Sequence, residues 1–218
     1  MATQAQARGF IKEIAPIVQD VCKSRDKWIL PSVAIAQAAC ESNYGTSKAM
    51  AAANGLFGFK VGKGVKYGTA WKGKSYSTKT KEYYSGYVTI TDNFRSYDSV
   101  KDAVTDYMDL LCSLSRYKAA VNENDAKKCI TAIKNGGYCT SPTYINTIMT
   151  IINKYNLTQY DSIVTGKQQA TAGTSGTLYA AVAGFCNTAS ECQAFQKQLQ
   201  AAGMNTQVWE VRAVKRIQ

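Results

Sequence analysis

One acid interrupts the segment AQAACESNYGTSKAMAAANGLFGFK, residues 36–60: Glu41, set among alanines, small polar residues and glycines. Ala34, Ala38 and Glu41 recur at the spacing of one helical face, with Gln37 one turn before the acid. Alanines leave room for something large to approach the backbone. A carboxylate in the last turn of a helix meets the negative end of the helix dipole, which favours its protonated form. An acid that keeps its proton near neutral pH suits general-acid chemistry, in which the proton passes to a bound substrate. The same residues also fit a plainer arrangement, a solvent-facing glutamate on a small-residue helix packed tightly against a neighbour. A second acid, Glu82, lies in KSYSTKTKEYYSGYVTITDNFRSY, residues 74–97. Among lysines it reads equally as a solvated charge or as a functional partner.

What the chain lacks narrows the chemistry further. It has no histidine, which excludes a Ser-His-Asp triad, a Cys-His peptidase site and any His-ligated zinc site. Its seven cysteines, Cys22, Cys40, Cys112, Cys129, Cys139, Cys186 and Cys192, form no C-x-x-C pair. They read as reduced thiols made in a cytosol rather than as a metal site or a disulfide framework. The net charge of +11, from 26 Lys+Arg against 15 Asp+Glu scattered along the chain, points to a polyanionic partner or surface. Charge alone fits nucleic acid and anionic envelope polymers alike.

These residues need elements to hold them. At 218 residues and 45% hydrophobic content the chain can form one sizeable domain and a smaller one. A first helix is predicted over Gln4–Lys23, with Phe10, Ile14, Val18 and Val21 on its inner face and Pro16 interrupting or kinking it. A second starts at Pro31 and runs to about Tyr44, where Gly45 stops it. Residues 74–97 read as two strands joined at Ser85-Gly86, an exposed hairpin lobe that carries Glu82 just before its turn. Helices resume at Ser99, after Asn124, and at Ser141-Pro142, the last with Ile145, Ile148, Met149 and Ile152 inward. The loop NGGYCTSP between the last two holds Tyr138. The small polar stretch from Thr165 to Thr177 reads as a linker. Beyond it, a strand, a helix capped by Thr188 and Glu191, and a second strand make a small unit that needs a partner or itself for stability. The N-terminus shows no secretory signal and no segment approaches a membrane span, so a protein acting outside the cytosol needs another route out.

Three segments in order, AQAACESNYGTSKAMAAANGLFGFK, TKEYYSGYVTITDNFRSYDS and NGGYCTSPTYINTIMTIINKYNL, resemble the glucosaminidase family of peptidoglycan hydrolases, glycoside hydrolase family 73. The resemblance runs from about Ile11 to Asp161 and implies an α+β fold, a mainly helical lysozyme-like domain with a β-hairpin lobe walling a sugar-binding groove. It implies Glu41 as the general acid that protonates the glycosidic oxygen after N-acetylglucosamine, and it turns the alanine face into the groove floor. Glu82 matches a hairpin acid that some members need, by implication as base for an attacking water. A 2-acetamido sugar could instead supply its own nucleophile. Tyr138 matches the tyrosine of the family's GGYATDP-like loop, near the reacting sugar, with Cys139 and Ser141 in place of the usual Ala and Asp. Tyr44, Asn54, Phe57 and Tyr117 are implied substrate contacts.

The domain layout expected is a catalytic domain over 1–161, a linker over 162–177 and a small domain over 178–218 that resembles half of a glycan-binding SPOR repeat, for wall binding or self-association. The implied partners are peptidoglycan glycan strands and anionic wall polymers, with no nucleic acid, metal or cofactor. The expected setting is a phage or prophage endolysin that waits in the host cytoplasm before lysis and then acts on the cell wall. Other readings stand beside it: a lytic transglycosylase or muramidase-type cleavage with the same fold, and a non-catalytic wall-binding protein.

Overall fold

Thr3 and Gln6 cap helix α1, Gln4–Lys23, reciprocally: Gln6 N–H donates to Thr3 Oγ1 at 3.2 Å and Thr3 N–H to Gln6 Oε1 at 2.8 Å. The helix continues through Pro16 without the expected interruption, and its predicted face, Phe10, Ile14, Val18 and Val21, is buried. The computed structural model describes residues 2–83 and 87–171. They fall in the first of two units, Met1–Thr174 and Ser175–Gln218. The small domain expected over 178–218, with its wall-binding or self-association role, lies outside the described residues.

Helix α2, Pro31–Glu41, is the centre of the body. Every residue from Pro31 to Ala39 is buried, and Ala34, Ala36, Ala38 and Ala39 are all 0% exposed. The alanine face expected to floor a groove is therefore a packing face. With only methyl groups to keep them apart, α1, α5 (Ala126–Asn135), α6 (Tyr144–Lys154) and the 3-10 turn Leu157–Tyr160 close around α2. A helix covered on all sides is core, and it meets solvent only at its end.

A two-stranded antiparallel sheet, β1 (Ser75–Tyr83) with β2 (Tyr87–Arg95), forms the lobe in the register Ser75↔Arg95 to Glu82↔Val88. The strands flank the predicted Ser85-Gly86 turn, which lies outside the described residues. Helix α3, Lys48–Ala53, was not foreseen in the sequence; α4 is Val100–Ser113, followed by the 3-10 turn Ser115–Ala120. Arg95 bolts the base of the lobe onto α4. Its guanidinium pairs with both oxygens of fully buried Asp106 at 2.8 and 3.1 Å, donates to the Lys60 and Val65 carbonyls, and lies 4.3 Å over the Trp71 ring. Tyr97 Oη donates to the same carboxylate at 2.8 Å. A buried pair with its remaining hydrogen bonds satisfied is hard to break, since removing one partner costs about 3–5 kcal/mol.

Two boundaries differ from expectation. Helix α6 starts at Tyr144 rather than at Ser141-Pro142, and Tyr144 and Ile151 join Ile148 and Ile152 in the core while Ile145 and Met149 are half-buried. The first ten residues of the expected linker are helix α7, Ser162–Thr171, whose Val164 is 0% exposed, so the core runs past Asp161. Among the described residues no helix is long and apolar enough to cross a membrane.

The N-terminus of α2 has no local side-chain cap; Asp161, 8% exposed, reaches it instead, its Oδ1 accepting the Ser32 N–H at 2.7 Å. Burial pushes the Asp161 carboxyl up to about 6, against the opposing pull of that bond. A carboxyl raised by folding favours the fold below its unfolded value of about 4, and that contribution is lost as pH rises through about 6. Asp161→Asn keeps an acceptor for Ser32 without the buried charge. Urea melts are expected to show the variant close to wild type at pH 4 and more stable at pH 7, by up to about 2 kcal/mol. A variant less stable at pH 7 would show that the ionised cap outweighs its burial.

Candidate active site

Helix α2 stops at Glu41 because the chain then turns left-handed: Asn43, Tyr44 and Gly45 have φ of 49°, 54° and 75°. Such angles are costly for a residue as large as tyrosine. Ser42 covers the cut end of the helix, its hydroxyl donating to the Ala38 carbonyl at 2.6 Å and accepting the Gly45 N–H at 2.8 Å. Gly45 also has no room for a side chain, since a Cβ there would lie 2.7 Å from the Phe10 ring. The early stop leaves Glu41 as the last helical residue and exposed, one step beyond a buried run.

The Glu41 carboxyl is open to solvent on one side and enclosed by protein on the other. Tyr144 Oη donates to its Oε1 at 2.7 Å. Loss of water on the enclosed side raises the pKa of Glu41, and the Tyr144 bond pulls it back without cancelling the rise. Behind Tyr144 stands Gln37, fully buried, whose Nε2 donates to Tyr144 Oη at 2.9 Å while its Oε1 accepts the Tyr107 hydroxyl at 2.6 Å. Tyr138 stacks on Tyr144, ring centroids 6.0 Å apart, and its hydroxyl donates to the Phe57 carbonyl at 3.3 Å. Burial first, then the Glu41 charge, holds the phenols of Tyr138 and Tyr144 above their usual range. The Cys40 thiol is pushed up to about 11 by burial and by Glu41. The acid is thus flanked by groups that stay neutral and protonated at pH 7, an arrangement that favours a carboxyl able to hold and release one proton. Among the described residues no three acidic or cysteine side chains converge as a metal site.

Glu41 and Tyr138, separated by almost a hundred residues in the sequence, lie near enough for the Glu41 charge to act on the Tyr138 phenol. Glu82 lies on β1, paired with Val88 near the tip of the hairpin, about 23 Å along the strand from the anchored base. Its side chain lies outside the described set. Tyr44 is half-buried and edge-on to Tyr155 at 5.8 Å. It lines a pocket of about 480 Å³ with Asn43, Thr143, Asn146 and Thr147, on the flank of α2 that carries Ala39 and Cys40. The other implied contacts serve the scaffold. Asn54 closes α3 in a left-handed conformation, φ 50°, and donates its Nδ2 to the Tyr97 carbonyl at 3.0 Å. Phe57, 5% exposed, stacks on Tyr107 at 4.1 Å. Tyr117, 1% exposed, packs where a Cβ on Gly136 would come within 2.4 Å of its ring, with the Arg116 guanidinium 4.8 Å over it. Neither ring has a face left for a sugar. Neither Tyr144 nor Tyr107 stands out as a site residue in the sequence. The available signal was Gln37, an amide in a run of buried small residues that had to find partners.

A buried helix that ends in one carboxyl of raised pKa, beside a two-stranded hairpin bolted to a helical body, makes up a lysozyme-like domain. Residues 15–157 match the glucosaminidase family model, described as mannosyl-glycoprotein endo-beta-N-acetylglucosaminidase, and the chain belongs to that family. It is 33% identical over 141 residues to the exo-glucosaminidase LytG of Bacillus subtilis, covering 62% of this chain and 47% of that protein. It is 29% identical over 150 residues to the peptidoglycan hydrolase FlgJ of Vibrio parahaemolyticus, covering 66% and 46%. The chain thus spans about half the length of these curated relatives. The crystal structure of the catalytic domain of the autolysin Auto from Listeria monocytogenes superposes with a TM-score of 0.61 at 35% identity, covering 74% of this chain and 90% of that one.

A carboxyl raised by folding favours the fold below its unfolded pKa and ceases to do so as pH rises through its folded value. The raised pKa of Glu41 therefore means that its ionised form works against the fold. Glu41→Gln retains an acceptor for Tyr144 and removes that opposition, so thermal melts at pH 7 are expected to place it at or above wild type. A clear loss of melting temperature would mean that the charge itself supports the structure.

Proposed function

We propose that this domain hydrolyses the β-1,4 bond that follows N-acetylglucosamine in the glycan strands of bacterial peptidoglycan. The observation that carries the reading is Glu41, an exposed carboxyl at the end of a buried helix, raised in pKa and held by Tyr144. The printed names of the relatives, exo-glucosaminidase and peptidoglycan hydrolase, support the wall as substrate. The net charge of +11 suits anionic wall polymers around it.

In this reaction the Glu41 proton passes to the glycosidic oxygen as the bond from that oxygen to the anomeric carbon breaks, and the bonding pair stays with the leaving oxygen. Water adds to the anomeric carbon, leaving a reducing N-acetylglucosamine end, and its surplus proton goes to a base. Tyr144 donates more strongly to the carboxylate than to the acid, so its bond to Glu41 strengthens as the proton leaves. Glu82 on the hairpin is the candidate base, and the substrate's own acetamido oxygen is the alternative nucleophile.

Mass spectrometry of digested wall tests the bond and the reaction together. Reducing N-acetylglucosamine ends are expected, while anhydro-muramyl ends would identify a transglycosylase. Glu41→Gln is expected to lose about 10²- to 10⁴-fold in turnover and to leave no clearing band in a wall-embedded gel. A clearing band from that variant would remove Glu41 from the mechanism.

Glu82→Gln separates the two routes to water. A loss within the same range of about 10²- to 10⁴-fold is expected if the hairpin acid activates water. Unchanged turnover would assign that task to the acetamido group.

A further inference from the structure

Gln37 and Tyr107 are both 0% exposed and too deep to touch a substrate, yet an unbroken run of hydrogen bonds joins them to Glu41. The direction of each bond follows from the one before it. Tyr107 Oη donates to Gln37 Oε1 at 2.6 Å, which turns the amide nitrogen toward Tyr144. Gln37 Nε2 donates to Tyr144 Oη at 2.9 Å, and the Tyr144 hydroxyl, already an acceptor, aims its single proton at Glu41 Oε1, 2.7 Å away. Tyr107 cannot easily swing out of this line, because its ring stacks on Phe57 at 4.1 Å and lies nearly parallel to Phe59 at 9°.

We propose that Tyr107 and Gln37 are positioning residues that act through Tyr144 to keep the acid proton of Glu41 on Oε2, the oxygen not bonded to Tyr144. A carboxyl accepts best at its carbonyl oxygen, so a fixed donor at Oε1 leaves the hydroxyl at Oε2. With the Gln37 amide reversed, its oxygen would face Tyr144 and draw that proton inward, and Glu41 would lose its donor. In the reversed state the Tyr107 hydroxyl would accept from the amide and lose the acceptor it has at Gln37 Oε1, so this bond favours the observed orientation. Among the described residues, the titratable groups that feel the Glu41 charge are Cys40 on its own helix, Tyr138 on the loop after α5 and Tyr144 on α6. All three are neutral at pH 7, so no charge beside the acid competes with the relay. This inference rests on Glu41 being the general acid.

The test is the full chain with Tyr107→Phe, Tyr144→Phe and the double variant. The Glu41 carboxyl is titrated by carbon-13 NMR, its resonance assigned by its absence in Glu41→Gln, and kcat and KM are followed against pH on soluble glycan fragments. Tyr107→Phe keeps the ring stack, so KM is expected to hold while kcat falls about 2- to 10-fold, the rate equivalent of one ordinary hydrogen bond. The Glu41 titration and the alkaline limb of kcat/KM both move to higher pH, because the carboxylate loses a donor in part of the population. The double variant shifts no further than Tyr144→Phe alone, since both act through one bond. Where Tyr107→Phe does not fold, Gln37→Met cuts the same chain and is expected to move the titration in the same direction.

A Tyr107→Phe or Gln37→Met protein that titrates like wild type, with kcat reduced only by its unfolded fraction, overturns the relay. So does a double variant whose shifts simply add. NMR reads the carboxyl without turnover. If wild type cleaves no glycan, the hydrolase reading fails, while the link from Tyr107 to the Glu41 carboxyl still stands or falls on the titration.

Discussion

Gln37 is an amide with no access to water, placed in the middle of a helix otherwise made of small and apolar side chains. A buried amide left unpaired costs on the order of 1–3 kcal/mol, so the body can close only if neighbouring elements bring partners to it. Tyr107 comes from α4 and Tyr144 from α6, and the two bonds tie these helices to α2 one turn before its end. Glu41, the proposed acid, follows one turn later at the end of the helix. Packing and reactivity therefore depend on the same contacts: whatever disturbs the seating of α2 also disturbs the donor to Glu41.

The second candidate acid is held quite differently. The hairpin is fixed at its base by Arg95, through an ion pair with Asp106 that is closed to solvent and braced by Trp71 and Tyr97. From there β1 runs on with Ser75, Ser77 and Lys79 exposed, and Glu82 lies almost at the end of the paired register. A proton donor gains from being fixed, because its orbital and its proton must face one atom. A residue that activates water, or only closes over a glycan, can tolerate being carried on a lobe anchored at one end.

The turn after Glu41 links these demands. Consecutive left-handed residues are unfavourable for side chains such as Tyr44, and the chain accepts them where Gly45 must pass against the Phe10 ring. The strain ends α2 at the acid instead of letting it run on to Tyr44. It also puts Tyr44 at the rim of a pocket lined by threonine and asparagine side chains, next to the acid but on another flank of the helix.

Local patterns in the sequence determined what needs only neighbours along the chain. The start of α1 at Gln4 and its inner face appear as read, as do the start of α2 at Pro31, the paired strands on either side of Ser85-Gly86 and the burial of Ile148. The resemblance of its motifs named the family. Tertiary structure decided the rest. The same alanine spacing suits an open groove floor and a tight helix contact, and only the arrival of α1, α5 and α6 selects the contact. Phe57 and Tyr117 are aromatic on either account, but their ring faces are taken by Tyr107, Gly136 and Arg116. Tyr144 became the partner of the acid because a helix beginning more than a hundred residues after Gln37 packs its first turn against it. Periodicity records which face of a helix is apolar. It does not record which distant hydroxyl will be near enough to satisfy a buried amide, and here that hydroxyl also donates to Glu41.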